Sequence, residues 1–184
     1  MRPRLPVTAI VAGGPAAVVE ATLAALAGQS RPCDVWLLQA PRDEAVDRLI
    51  AQTTALNVRV VRADDPFSPW APLMFAWFAP TAAVLLSTVV VPLDPRFLAV
   101  AHTMLLRRRG AVCSAGDAAV GPDGLSVDAA SAAIAGGACL IATEWIRHAW
   151  ARPPGDLRQP PGPRLAAGLR NAGIPIFVAD LRTG

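Results

Sequence analysis

Lysine is missing from the 184-residue chain, so all 17 of its basic side chains are arginines. Arginine's rigid fork of donors suits phosphate recognition. The charge is nevertheless diffuse, at net +3 with a pI near 9.3, and Arg107-Arg108-Arg109 is the one dense run. A nucleic-acid footprint needs a basic patch or stripe, so nucleic acid is set aside as a partner. Charge of either sign is scarce, at 17% against 53% apolar residues, which excludes disorder and requires burial in a core, an interface or a membrane. Histidine occurs only at His102 and His148, and cysteine at Cys33, Cys113 and Cys139. With no CxxC and no His-Cys cluster, a structural zinc site is excluded; the three scattered cysteines in apolar surroundings read as reduced, buried thiols of a cytosolic protein.

An uninterrupted membrane-spanning run is also lacking, although two segments come near. Met1-Arg2-Pro3-Arg4, an apolar stretch and Ala25-Leu26-Ala27 superficially match a secretory signal, but Gly13-Gly14-Pro15 and Glu20 interrupt it. Residues 66–93 carry no charge, yet prolines at 66, 69, 72, 80 and 92 break them, and Val84 to Val91 is rich in β-branched residues. A buried helix followed by a buried strand is the expectation there. Several catalytic signatures are absent as well. Gly13-Gly14-Pro15 matches neither G-x-G-x-x-G nor the P-loop. Ser87, Ser114 and Ser126 lack the G-x-S-x-G context of a hydrolase elbow.

What is present is a regular alternation. Val7 to Ala12 reads as a buried parallel strand ended by Gly13-Gly14-Pro15, followed by a helix with Val18, Leu23 and Leu26 on its apolar face. Val35 to Leu38 is the second strand, Asp43-Glu44 opens a second helix with Ala45, Val46, Leu49 and Ile50 at helical spacing, and Val58 to Val61 is the third strand. Strand, helix, strand, helix, strand with short connections predicts a doubly wound sheet with right-handed crossovers. Further on, the spacing predicts a helix over 70–78, a central strand over 82–91, and a helix from Asp94-Pro95 to Arg109. A strand over 112–115, a turn at 121–124 and a helix over 144–151 follow. Residues 152–164 read as an Arg/Pro/Gly-rich loop, followed by a helix over 165–171 and a last strand over 174–178. Arg107-Arg108-Arg109, at a helix C-terminus, reads as a solvated end, with a membrane-surface or phosphate contact as the alternative. Trp70 and Trp77, two helical turns apart, read as core rather than as a sugar platform. Neither histidine is a strong base candidate.

The order of these elements resembles the GT-A fold, particularly family 2 of the inverting glycosyltransferases. The strings that carry the resemblance are Val7 to Leu38 with the turn Gly28-Gln29-Ser30-Arg31-Pro32, Val84 to Leu98 with Asp94-Pro95-Arg96-Phe97-Leu98, Gly136-Gly137-Ala138-Cys139-Leu140, and Leu165 to Val178. The resemblance implies a single α/β, Rossmann-related domain over 1–184, with a mixed, mostly parallel sheet flanked by helices. Its nucleotide half runs over about 1–95 and its acceptor half over about 96–184. It also implies a divalent cation held by carboxylates and a carboxylate base. At the matching positions this chain reads Ser87-Thr88-Val89-Val90, Pro161-Gly162-Pro163-Arg164 and Gln39-Ala40-Pro41, none of them acidic. Neutral hydroxyls and valines cannot replace carboxylates around a hard cation. The nucleotide-sugar positions carried over are Ala12, Gly13, Gln39, Ser87, Thr88 and Arg164, with no metal and no other cofactor expected. Candidate catalytic carboxylates are Asp64 and Asp65, after the third strand at the carboxyl edge of the sheet, and Asp156 in the loop before the last helix.

Two functions follow. One is a degenerate, non-catalytic domain serving as partner or regulator of an active glycosyltransferase in glycan synthesis. The other is an active, metal-independent transferase moving a sugar from a nucleotide-sugar to a glycan or lipid-linked acceptor, with Arg164 or Arg158 neutralising the diphosphate. A cytoplasmic location, a peripheral membrane contact and an oligomer are consistent with both.

Overall fold

The computed structural model describes residues 7–87, 93–114, 127–150 and 161–179. In chain order these form β1 (Val7–Ala12), α1 (Ala16–Ala27), β2 (Asp34–Gln39), α2 (Glu44–Gln52), β3 (Asn57–Arg62), α3 (Ala71–Trp77) and β4 (Ala83–Ser87). Then come α4 (Phe97–Arg108), β5 (Ala111–Cys113), α5 (Val127–Gly136), β6 (Ala138–Ala142), a 3-10 helix (Thr143–Trp150), α6 (Gly162–Asn171) and β7 (Ile176–Val178). The strands make one seven-stranded sheet in the order β3-β2-β1-β4-β6-β5-β7. All pairings are parallel except those of β6, which runs antiparallel to β4 and β5. The carboxyl ends of β1 to β5 and β7 therefore share one edge of the sheet with the start of β6; the opposite edge is the amino edge.

Alternation along the strands builds two cores. Ala9, Val11, Leu37, Leu85 and Leu140 face the layer of α1, α2 and α4, where Leu23, Leu26, Val46, Phe97 and Leu98 meet them. Ile10, Leu38, Leu86, Cys139 and Ile141 face the other layer, made by α3, α5, the 3-10 helix and α6 through Leu73, Ile134, Ile146 and Leu165. With both faces covered, the strands read as nearly continuous apolar runs. β3 differs: it is an edge strand, with its arginines Arg59 and Arg62 exposed.

Local chemistry explains several boundaries. Asp43 caps α2 by accepting from Ala45 N–H at 2.8 Å. The N-terminus of α4 is capped from a distance. Gln29, between α1 and β2, accepts from Leu98 N–H at 3.0 Å through Oε1, and its Nε2 donates to Asp94 O at 2.9 Å and Ala25 O at 3.2 Å. α4 ends at Arg109, in the left-handed region at φ 50°. No helix among the described residues is long and apolar enough to cross a membrane.

Three expectations need correction. In α1 the core positions are Val19, Leu23 and Leu26, spaced i, i+4, i+7, while Val18 is exposed. α6 begins at Gly162, inside the segment read as loop, because a proline in the first helical turn lacks only an N–H that has no partner there. The helix expected over 144–151 is present as a 3-10 helix over Thr143–Trp150. Trp70 is fully buried, but Trp77 is 46% exposed. The strand expected to reach Val91 is described only to Ser87, and the 121–124 turn lies outside the described residues.

Candidate functional site

Strand order reverses at β1, with β2 and β3 on one side and β4 on the other. Loops leaving the carboxyl ends at such a switch point diverge and open a crevice, where doubly wound folds bind their ligands. Val11 is in register with Ser87, and Ala12 with Leu38, so Ala12, Gly13, Gln39 and Ser87 come together at the carboxyl ends of three adjacent strands. Thr88 and Asp156 lie outside the described residues.

The crevice floor is tied shut between β1 and β2. Gly13 N–H donates to Leu38 O at 2.7 Å. A Cβ on Gly13 would fall 2.3 Å from Gln39 Oε1 and 2.4 Å from Leu38 O, so only glycine permits this approach. The buried Gln39 amide is already employed: Oε1 accepts from Gly14 N–H at 3.3 Å, and Nε2 donates to Pro41 O at 3.3 Å. Gly14 N–H leads into α1, where an incoming anion would seek donors. Gln39 is thus engaged within the chain at a position that the family resemblance implies for a nucleotide-sugar. The sequence alone left its side chain unplaced, since at a strand end nothing local decides whether it turns inward.

Neutral oxygens are all that Ser87 and Gln39 contribute, and Ser87 is buried. A divalent cation is a hard acceptor that wants carboxylates. Among the described residues no group of three or more His, Cys, Asp or Glu could hold a metal. The described crevice residues therefore do not fit the cation that the fold resemblance implies.

Charge gathers instead at the flank. Asp64 and Asp65 are exposed just beyond β3. At a strand spacing of about 4.8 Å, β3 lies roughly 10 Å from β1 and roughly 14 Å from β4, so the pair borders the crevice rather than lining it. Beside them, Asp47 on α2 accepts from Arg42 Nε at 3.0 Å and from Arg62. Those bonds, from Arg62 first and then Arg42, hold the Asp47 carboxyl below the usual range. Arg164 sits in the first turn of α6, half-buried.

At the amino edge, away from these residues, a cleft of about 620 Å³ opens between Ala82, Leu105, Leu106, Arg109, Thr143 and Trp145. His102, in α4, is buried with its Nε2 lacking a hydrogen-bond partner. Burial first, and then the Arg31 cation, lowers its pKa from the ordinary 6.5.

Backbone comparison decides the architecture: TarS from S. aureus superposes on 97% of this chain with a TM-score of 0.73 at 13% identity. The fold is GT-A-like. A shorter TarS structure solved with UDP-GlcNAc matches 96% of the chain at TM-score 0.67 and 13% identity, and another was solved with UDP. The chain spans 36% of the first TarS chain and 56% of the second. The 4-diphosphocytidyl-2C-methyl-D-erythritol synthase of Anaerococcus prevotii also superposes, at TM-score 0.60 and 13% identity, over 96% of this chain and 90% of its own. No protein-family model and no curated protein matches the sequence.

Proposed function

We propose that this GT-A-like domain is non-catalytic and acts as a partner or regulatory domain for an active glycosyltransferase in glycan synthesis. The observation that carries the reading is the crevice itself. It ends in the neutral, buried Gln39 and Ser87, and Gln39 spends its amide on Gly14 and Pro41. Nucleotide-sugar transfer requires charge stabilisation at the departing diphosphate and a base at the acceptor. The described residues of the crevice supply neither, while the packing strings around it build a complete sheet.

A second reading is favoured by one observation, the exposed Asp64-Asp65 pair with Arg42 and Arg62 on the same edge. These could serve a metal-independent transferase, the carboxylates as base and the guanidinium groups on the diphosphate. One experiment separates the readings: calorimetry with UDP-GlcNAc, with manganese and with EDTA, together with an assay for released UDP. The partner reading expects no manganese-dependent heat and no UDP. Release of UDP in EDTA, lost in an Asp64→Asn/Asp65→Asn variant, would establish the second reading. A micromolar affinity that needs manganese would overturn both.

A further inference from the structure

The amino edge carries features that the carboxyl-edge crevice does not use. α3 ends there on its way into β4, and its last turn exposes Met74, Trp77 and Phe78, the last at 71%. These positions are spaced i, i+3, i+4 and so share one face of the helix. α4 delivers its own C-terminus to the same edge before β5, with Leu106 exposed at 52% and the exposed triplet Arg107-Arg108-Arg109 behind it. Beside the C-terminus of α4 lies the 620 Å³ cleft, lined by Leu105, Leu106 and Arg109, by Ala82 from the start of β4, and by Trp145; α3 reaches the same edge from the other face of the sheet.

The charges at this edge are unbalanced. Arg108 stacks over the Phe177 ring at 5.2 Å, and none of the three arginines has an ion-pair partner among the described residues. Among the described residues, the carboxylates toward this edge include Asp34, which accepts from Asn57 Nδ2 at 3.0 Å, Asp94, already paired with Arg96, Glu144 in the cleft lining, and Asp128 in the first turn of α5. Met74, Trp77 and Phe78 exposed together on one helix face make an apolar patch of the kind that marks an interaction surface. Rings that enter the headgroup layer beside arginines that meet lipid phosphates answer both the apolar and the basic character of this edge.

We infer that the amino edge is a docking surface for an anionic lipid bilayer, with Trp77 and Phe78 inserting and Arg107, Arg108 and Arg109 on the lipid phosphates. The orientation leaves the carboxyl-edge crevice facing away from the bilayer. This surface is independent of what the crevice binds.

The test is co-sedimentation of the whole chain with phosphatidylcholine vesicles and with phosphatidylcholine vesicles doped with phosphatidylglycerol. Binding is expected to the doped vesicles only, and to weaken as salt rises. Each Arg→Gln change at 107 or 109 should weaken it roughly fivefold, at about 1 kcal/mol per basic residue. Phe78→Ser should weaken it by roughly tenfold or more, the loss of one inserted apolar side chain. All these side chains are exposed, so the variants should keep the circular dichroism and unfolding midpoint of the parent. Brominated acyl chains should quench the parent's fluorescence more than that of Trp77→Phe. No binding to doped vesicles overturns the inference. So does binding that Phe78→Ser and the arginine variants leave unchanged. A dimer in light scattering that Phe78→Ser dissociates, without any vesicle binding, would assign the face to self-association instead.

Discussion

Replacing His102 by leucine should make the protein more stable, and increasingly so as the solution is acidified. Only 5% of His102 is exposed, and its Nε2 has no hydrogen-bond partner. A buried unsatisfied polar atom costs about 1–3 kcal/mol, so removing it at about pH 8 should recover roughly 1 kcal/mol after repacking losses. In a domain of this size that is roughly 2–4 °C in melting temperature. The pH dependence has a definite sign. Burial and the Arg31 cation depress the folded pKa, while in the unfolded chain the group titrates near its ordinary 6.5. Above 6.5 both states hold a neutral imidazole, and stability is flat with respect to this group. Below it the unfolded state binds the proton first, so stability falls with pH, by up to about 1.4 kcal/mol per unit, until the folded pKa is passed. Urea unfolding of the parent and His102→Leu from about pH 8 to about pH 5.5, followed by tryptophan fluorescence, gives the difference free of other titrations common to both proteins. A gap between the two that stays constant over that range would refute the reasoning. So would a variant less stable than the parent at every pH.

Two further outcomes are expected. Gln29→Ala removes three hydrogen bonds, two joining the α1–β2 connection to the start of α4 and one back to α1, and at about 1 kcal/mol each it should cost roughly 2–4 kcal/mol in urea unfolding; a loss below about 1 kcal/mol would show that water replaces them. The three thiols are buried, Cys33 with its pKa pushed up to about 12 and Cys113 raised by its neighbour Cys139 and by burial. They should resist a thiol-specific reagent in the native state and react in urea, whereas fast native labelling would contradict the packing.

The legible parts of this fold are those that neighbouring residues determine. β1, α1, β2, α2 and β3 follow from apolar runs, a capping aspartate and glycine turns, each acting over a few residues. The insertion of β6 between β4 and β5 is a different matter. Ala138 to Ala142 is short, apolar and compatible with any central position, and its antiparallel place is settled by pairing with residues more than fifty positions earlier. The start of α6 was hidden for a compositional reason, since a proline in a first helical turn looks in sequence like a proline in a loop. At the site, the neutrality of Gln39 and Ser87 could be read directly, and so could the location of Asp64-Asp65 at a strand's carboxyl end. That Gln39 turns inward to hold Gly14 depends on the gap that Gly13 leaves, a contact between strands. The exposed face of α3 was missed for a similar reason. Trp70 and Trp77 have the right spacing for one buried stripe, but α3 ends at the amino edge, where the sheet no longer covers it.

One of the sheet's two outermost strands, β3, has a consequence for how the protein behaves when crowded. β3 leaves one margin of hydrogen-bonding groups without a neighbouring strand in the sheet, the arrangement that invites another chain to add itself and begin a fibre. Arg59 stands exposed along that margin, so a second copy approaching in parallel register would bring like charges together and lose their hydration before any ladder formed, while Arg62 is held by Asp47. In a chain this rich in apolar residues, a charged side chain on that strand helps to keep the molecules separate.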